Sequence, residues 1–261
     1  MSKFLVFDIY SDYGHFRKYY TTSSPLTYSI PPRTALVGII SSIIGFGKKN
    51  NLGKNDNDYF YLMEDEVLKI ALQIINPIEK QYFGINVLDC KADGSRTNLF
   101  KDLSKIDNIE IHNTQVNMEF LKNPKYRLYV SINDSQLYNK IKEYLINNYT
   151  YYTPYMGVAF CILNLNFIGE YELIEKISDN LDYIDLFTIV DSDNILDILI
   201  EEGKFYNKEK VAHFMDKNRI VRKYKSYIFE NSGKSIKVKL KEILKISNIS
   251  NKDDLKYITL M

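Results

Sequence analysis

Tryptophan is absent from this 261-residue chain, and cysteine occurs only as Cys90 and Cys161. Two distant cysteines give no disulfide framework and no C-x-x-C pair, so a reducing cytoplasm is the expected compartment. Histidine is equally scarce. His15, His112 and His213 stand far apart, without the close ligand pairs of zinc sites, and neither a metal nor another cofactor is expected. The 11 glycines form no G-x-x-x-x-G-K-[ST] loop and no G-x-G-x-x-G, and no serine sits in a G-x-S-x-G elbow. Nucleotide-dependent enzymes and serine hydrolases are therefore disfavoured. Long hydrophobic runs are missing too. The longest, residues 35–46, is too short to cross a bilayer, and the N-terminal apolar run is broken by Asp8, which makes a poor signal peptide. A soluble, intracellular protein without membrane contact is expected.

An excess of one charge is also lacking, since the net charge is +1. That total conceals blocks. Residues 1–50 carry +4, residues 51–203 carry −12 and residues 204–245 carry +9. Within the middle block, residues 170–202 hold 11 acids against Lys176 alone, which reads as solvated surface. A protein binds nucleic acid without a basic total if its basic blocks converge in space.

What is present is a readable order of elements. KFLVFDIY (3–10) is β-branched and aromatic and predicts a strand, with Asp8 expected on an exposed face or near the strand end. ALVGIISSII (35–44) follows Pro31 and Pro32 and predicts a tightly packed helix, with Thr34 as N-cap, Gly45 as C-terminal stop and Gly38 as a packing position. YFYLMEDEVL reads as a short second helix, LKIALQIINPI (68–78) as a strand and residues 79–125 as a long excursion, a hairpin or arm. YRLYVSI (126–132) reads as a strand and DSQLYNKIKEYLINNY (134–149) as a helix capped by Asp134 or Ser135. VAFCILNLNFIGEYEL, beginning at Val158, reads as a strand. This order is the split βαβ of an α+β, ferredoxin-like fold with an inserted arm. Short strands at DYIDLFTIV, RIVRKYKSYIF and SIKVKL predict a smaller β-rich C-terminal part. The expected division is residues 1–175 for the body with its arm, and 176–261 for an acidic linker region and the β-rich part.

Nucleic-acid chemistry is best represented in HFRKYYTTSS (15–24), which holds two cations, three aromatic rings and four hydroxyls. Cations neutralise phosphates, rings stack on unpaired bases and hydroxyls bond phosphate oxygens. The helix behind it aims free N–H groups at the same region, with Arg33 expected to add a bidentate phosphate contact. A solvated loop with partly buried tyrosines has the same composition. KNRIVRKYKSYIF (217–229) mixes cations with tyrosine again, and Arg219, Arg222 and Lys223 are read as contacts to RNA or to a partner subunit. Lys239 and Lys241 read as guards of an exposed edge strand, and Asp191 and Asp193 as solvated acids.

The segment FDIYSDYGHFRKYYTTSSPLTYSIPPRTALVGIISSIIG (7–45) resembles the N-terminus of the CRISPR-associated Cas "five" family, of the RAMP superfamily, in its type I-B form. FLKNPKYRLYV (120–130), YTPYMGVAF (152–160) and MDKNRIVRKYKSYIF (215–229) agree with it. The resemblance implies an RRM-related, ferredoxin-like body with a thumb-like arm. It implies a non-catalytic subunit of the type I surveillance complex, Cascade, that grips the repeat-derived 5′ tag of the CRISPR RNA in antiviral defence. The implied neighbours are the repeated backbone subunit and the large subunit, with target DNA contacted only indirectly. Carried over residue by residue, the tag-facing positions are His15, Phe16, Arg17, Lys18, Tyr19, Tyr20, Tyr28, Arg33 and Thr34. Gly157 in the loop before the fourth strand, and Lys91 and Arg96 at the arm tip, are further RNA candidates. One branch of the family resembles a metal-free endoribonuclease that cuts repeat RNA. His15, Tyr13, Lys18 and Tyr20 are of the right types for that chemistry, although that branch's catalytic residues have no match here. A purely structural interaction subunit, with the charge blocks facing protein neighbours, is the third reading.

Overall fold

The computed structural model describes residues 2–46, 57–88 and 113–261. In chain order the elements are β1 (Lys3–Tyr10), β2 (Tyr13–Gly14), α1 (Arg33–Ile44), α2 (Asn57–Met63), β3 (Leu68–Ile74), β4 (Glu79–Leu88), β5 (Asn113–Lys122), β6 (Lys125–Ile132), α3 (Ser135–Ile146), β7 (Asn164–Leu186), β8 (Val190–Asp191), β9 (Ile195–Leu199), β10 (Tyr206–Met215), β11 (Val221–Glu230), β12 (Ile236–Asn248) and β13 (Leu255–Ile258). β1 is antiparallel to both β6 and β7, and β3 is antiparallel to β6. The order β7-β1-β6-β3 therefore makes β1-α1-β3 and β6-α3-β7 two interleaved crossovers, the split βαβ arrangement. β12 extends the sheet beyond β7, with β13 and β9 outside it. Residue 175 lies within β7.

Central position explains the composition of β1, whose residues 4–9 are all buried. Leu36, Val37, Ile40 and Ile43 of α1 meet Leu5, Phe7 and Leu128 in the main core. Each such side chain stabilises by about 1.5–3 kcal/mol relative to exposure. α3 begins as its sequence requires: Asp134 accepts the N–H groups of Gln136 and Leu137. α1 ends on Gly45 at φ +82°, the left-handed C-terminal conformation, with the Tyr151 ring against it. The excursion after β3 is the antiparallel hairpin β4–β5. Among the described residues no helix is long and apolar enough to cross a membrane.

Several local expectations are corrected. Asp8 is buried mid-strand, not exposed. Its cross-strand neighbour Arg127 donates to it at 2.7 and 3.1 Å, and Lys125 lies 3.5 Å away, so the charge is paired where it is buried. The last crossover strand starts at Asn164, six residues late, because residues 154–163 close on themselves: Met156 N–H donates to Cys161 O and Leu163 N–H to Pro154 O. β12 is not an edge strand. Lys239 lies over the Tyr183 ring and Lys241 donates to the Asp193 carbonyl. Asp191 is buried and pairs with Lys225 at 2.9 Å.

Candidate nucleic-acid interface

The loop from His15 to Tyr28 is ordered by its own backbone. Lys18 N–H donates to Leu26 O, Tyr28 N–H to Phe16 O, and Arg17 bridges Thr27. Two buried carboxylates then hold it from beneath. Glu119 of β5 accepts Thr27 N–H at 2.9 Å, and Lys80 and Tyr82 of β4 donate to the same carboxylate. Glu209 of β10 accepts both the N–H and the hydroxyl of Ser29, with Lys18 3.6 Å away. The loop thus hangs between the base of the arm and the C-terminal hairpin β10–β11.

This suspension sorts the nominated loop residues. His15, Phe16 and Tyr28 are buried supports. His15 Nδ1–H donates to Glu119 O at 2.7 Å, its Nε2 has no partner among the described residues, and burial lowers its pKa. Burial pushes the Tyr28 phenol up to about 12, and Lys18 lies 5.7 Å from the centre of its ring. Arg17, Tyr19 and Tyr20 face solvent, the tyrosines at 71% and 60% exposure. Tyr19 meets Tyr20 and also Tyr224 of β11, with ring centres 5.8 Å apart in the latter pair, and Lys210 of β10 lies over the Tyr224 ring. The N-terminal and C-terminal basic blocks therefore do converge. Lys210 and Tyr224 were not singled out in the sequence. RKYKSY of β11 is a signal for Tyr224 alone, and Lys210 on β10 has none.

Arg33 does not face this surface. It is 1% exposed and donates to Met63 O at 2.6 Å and Leu68 O at 2.9 Å, with Asp65 at 3.1 Å. Asp65 in turn lies 3.0 Å from His213 Nε2, whose Nδ1 is 3.2 Å from the Tyr227 hydroxyl. Burial alone would raise the Asp65 pKa, but His213, Arg33 and Lys223 hold it at about 2. Arg33 thus fastens α1 to the connection between α2 and β3. Thr34 is not the N-cap either. Pro32, extended at ψ 148°, occupies that position, its carbonyl takes the first helical N–H groups, and Thr34 lies inside the helix.

Thr34 instead lines a cleft of about 780 Å³ between α1, α2, the 152–157 loop and the turn joining β10 to β11. Gly157 and Arg219 line the same cleft. Gly157 has φ +86°, and a Cβ there would stand 2.1 Å from His15 O, so the close approach of the two loops requires glycine. Gly38 is the reverse case. An added Cβ would meet only the Tyr59 ring, at 4.0 Å, so Gly38 keeps the cleft floor open instead of serving packing. Arg219 sits at φ +60° in a turn organised by Asp216, which accepts from Asn218 N–H, Ile220 N–H and the Arg222 side chain. Arg222 is thereby held in an ion pair outside the cleft lining. Lys91 and Arg96 lie outside the described residues. Among the described residues no group of three or more His, Cys, Asp or Glu is placed to hold a metal ion.

A split βαβ body, a hairpin arm and a basic-aromatic surface define the chain as an α+β protein. A family model described as CRISPR-associated protein (Cas_Cas5) matches residues 4–213, and the chain belongs to this Cas5 family. In fold it is similar to a CRISPR protein from Archaeoglobus fulgidus, over 100% of both chains at 13% identity and a TM-score of 0.54. A chain of a CRISPR RNA-guided surveillance complex is also similar, at 11% identity over 90% of this chain and 91% of that one, with a TM-score of 0.46. No curated protein matches the chain.

Proposed function

We propose that the protein is a non-catalytic RNA-binding subunit of a type I-B CRISPR surveillance complex, gripping the repeat-derived 5′ tag of the CRISPR RNA beside the repeated backbone subunit and the large subunit. The observation that carries this reading is the meeting of Tyr19 and Tyr20, beside the exposed Arg17 on a loop held by two buried carboxylates, with Tyr224 and Lys210 of β11 and β10. Arg17 and Lys210 meet phosphates, and the exposed rings offer stacking faces to unpaired bases. Family membership and the fold agree with it. Catalysis is not favoured, because His15, the one imidazole among the candidate acid–base groups, is buried with Nδ1 committed to a carbonyl.

The test measures tag-RNA affinity of the Arg17→Ala/Tyr19→Ala/Tyr20→Ala variant across a salt series. Affinity falls by roughly tenfold or more, and the salt slope drops by about 0.7 for the lost phosphate contact. Unchanged affinity at fixed salt refutes the grip. Repeat RNA incubated with the protein in EDTA stays intact, whereas site-specific cleavage lost in His15→Ala favours the endoribonuclease.

A further inference from the structure

We infer that the cleft between α1, the 152–157 loop and the β10–β11 turn takes one unstacked base of the bound RNA, with the adjoining phosphate at Lys217 and Arg219. The inference rests on the RNA-binding reading above, but it concerns a different surface from the Tyr19–Tyr20 patch.

Size comes first. About 780 Å³ is within the roughly 300–1,000 Å³ range of sites that enclose a small molecule. The floor is the face of α1 formed by Thr34, Gly38 and Ser42, small side chains that leave room for a flat ring. Aromatic rings stand around it: Tyr59 and Phe60 from α2, and Tyr152 and Tyr155 from the loop. Tyr59 is fixed in place by donating to Thr34 O at 3.0 Å.

Charge separates a base from an apolar side chain as occupant. Among the described residues the lining holds Lys217 and Arg219 and no carboxylate. Arg219 adopts a left-handed backbone that glycine would take without strain. Asp216 is occupied with the turn and with Arg222, leaving the Arg219 charge on the rim. An apolar side chain would use the rings and leave both cations idle. A nucleotide uses rings, hydroxyls and cations together. The cleft also abuts the loop patch, since Gly157 backs directly onto His15 O.

The full-length protein is titrated with tag RNA carrying 2-aminopurine at one position at a time. In the wild type one position shows a stacking change that Tyr19→Ala/Tyr20→Ala leaves in place, and Gly38→Leu abolishes that signal and weakens binding roughly tenfold or more. Gly38→Leu fills open space. Arg219→Gly removes the cation and relaxes the backbone, so it weakens binding with thermal stability retained. If both variants bind like wild type while Tyr19→Ala/Tyr20→Ala weakens binding, the cleft inference is overturned and the grip survives. If tag RNA does not bind the wild type, both fail. If Gly38→Leu leaves RNA affinity intact but loses co-purifying protein subunits, the occupant is a protein side chain and the inference is overturned.

Discussion

Replacing Arg33 by alanine tests whether burial or sequence position describes this residue. Its guanidinium serves the carbonyls of Met63 and Leu68 and the carboxylate of Asp65. Alanine leaves two interior carbonyls without donors, at about 1–3 kcal/mol each where water cannot replace them. It also vacates the volume of one of the largest fully buried side chains. Asp65 is 51% exposed and keeps His213, so its loss of a partner adds little. The sum is on the order of 3–5 kcal/mol, carried by the carbonyls and the vacated volume. Against a typical total of about 5–15 kcal/mol, that is a large fraction. Urea unfolding is the assay: the midpoint falls with an unchanged slope, and RNA affinity of the folded protein at low temperature stays at the wild-type level. Arg33→Lys recovers only part of the loss, because an ammonium cannot reproduce the fork that reaches both carbonyls. A variant that unfolds like wild type but loses RNA would refute the reasoning and return Arg33 to the phosphate surface.

Acid lowers stability in two stages. Burial depresses the pKa of His15 and His213 below their ordinary 6.5, so stability is full above that value and declines as pH falls beneath it. Asp65, held at about 2 against an ordinary 3.8, contributes above 3.8 and loses its contribution as pH falls towards 2. After allowance for its exposure this is about 1 kcal/mol. A pH series of urea midpoints reads both stages, and a flat profile through pH ~6 contradicts the histidine assignment. Gly157→Ala combines a left-handed backbone with a 2.1 Å collision on His15 O. It destabilises by roughly 2–4 kcal/mol and weakens RNA binding by displacing the loop. A variant with wild-type stability shows that the two loops have room to separate.

Elements with strong local signals were legible from the chain. β1, α1, β3, β6 and α3 have clear apolar patterns, and Asp134 and Gly45 mark helix ends that the structure retains. The start of β7 was not legible, because VAFCIL has strand-like composition yet spends its polar backbone groups on a compact loop. β10 was missed since NKEKVAHFM buries only Glu209, Val211 and His213, a sparse alternation that includes a charge and an imidazole. Arg33 and Asp8 misled for one shared reason. Local pattern places a charge at a helix start or within a strand, but the partner that permits burial, Asp65 or Arg127, is distant in sequence. The candidate surface was half visible: Arg17, Tyr19 and Tyr20 stood out by composition, whereas Lys210 and Tyr224 join them only through the path of β10 and β11. The cleft has no local signature, since its lining comes from four separate segments between Thr34 and Arg219, brought together by the fold.

The suspended loop has a kinetic consequence. A segment fastened by Glu119 on one side and Glu209 on the other gave up its conformational freedom when the chain folded. On the proposed RNA-binding reading, a ligand arriving there meets a loop already fastened, so less ordering opposes association. Encounter is then governed by the charges around it, and its rate responds to ionic strength more than to loop rearrangement. The same fastening makes the loop a sensor of its anchors, since a displacement of β5 or β10 changes the surface presented to solvent without any contact to the ligand itself.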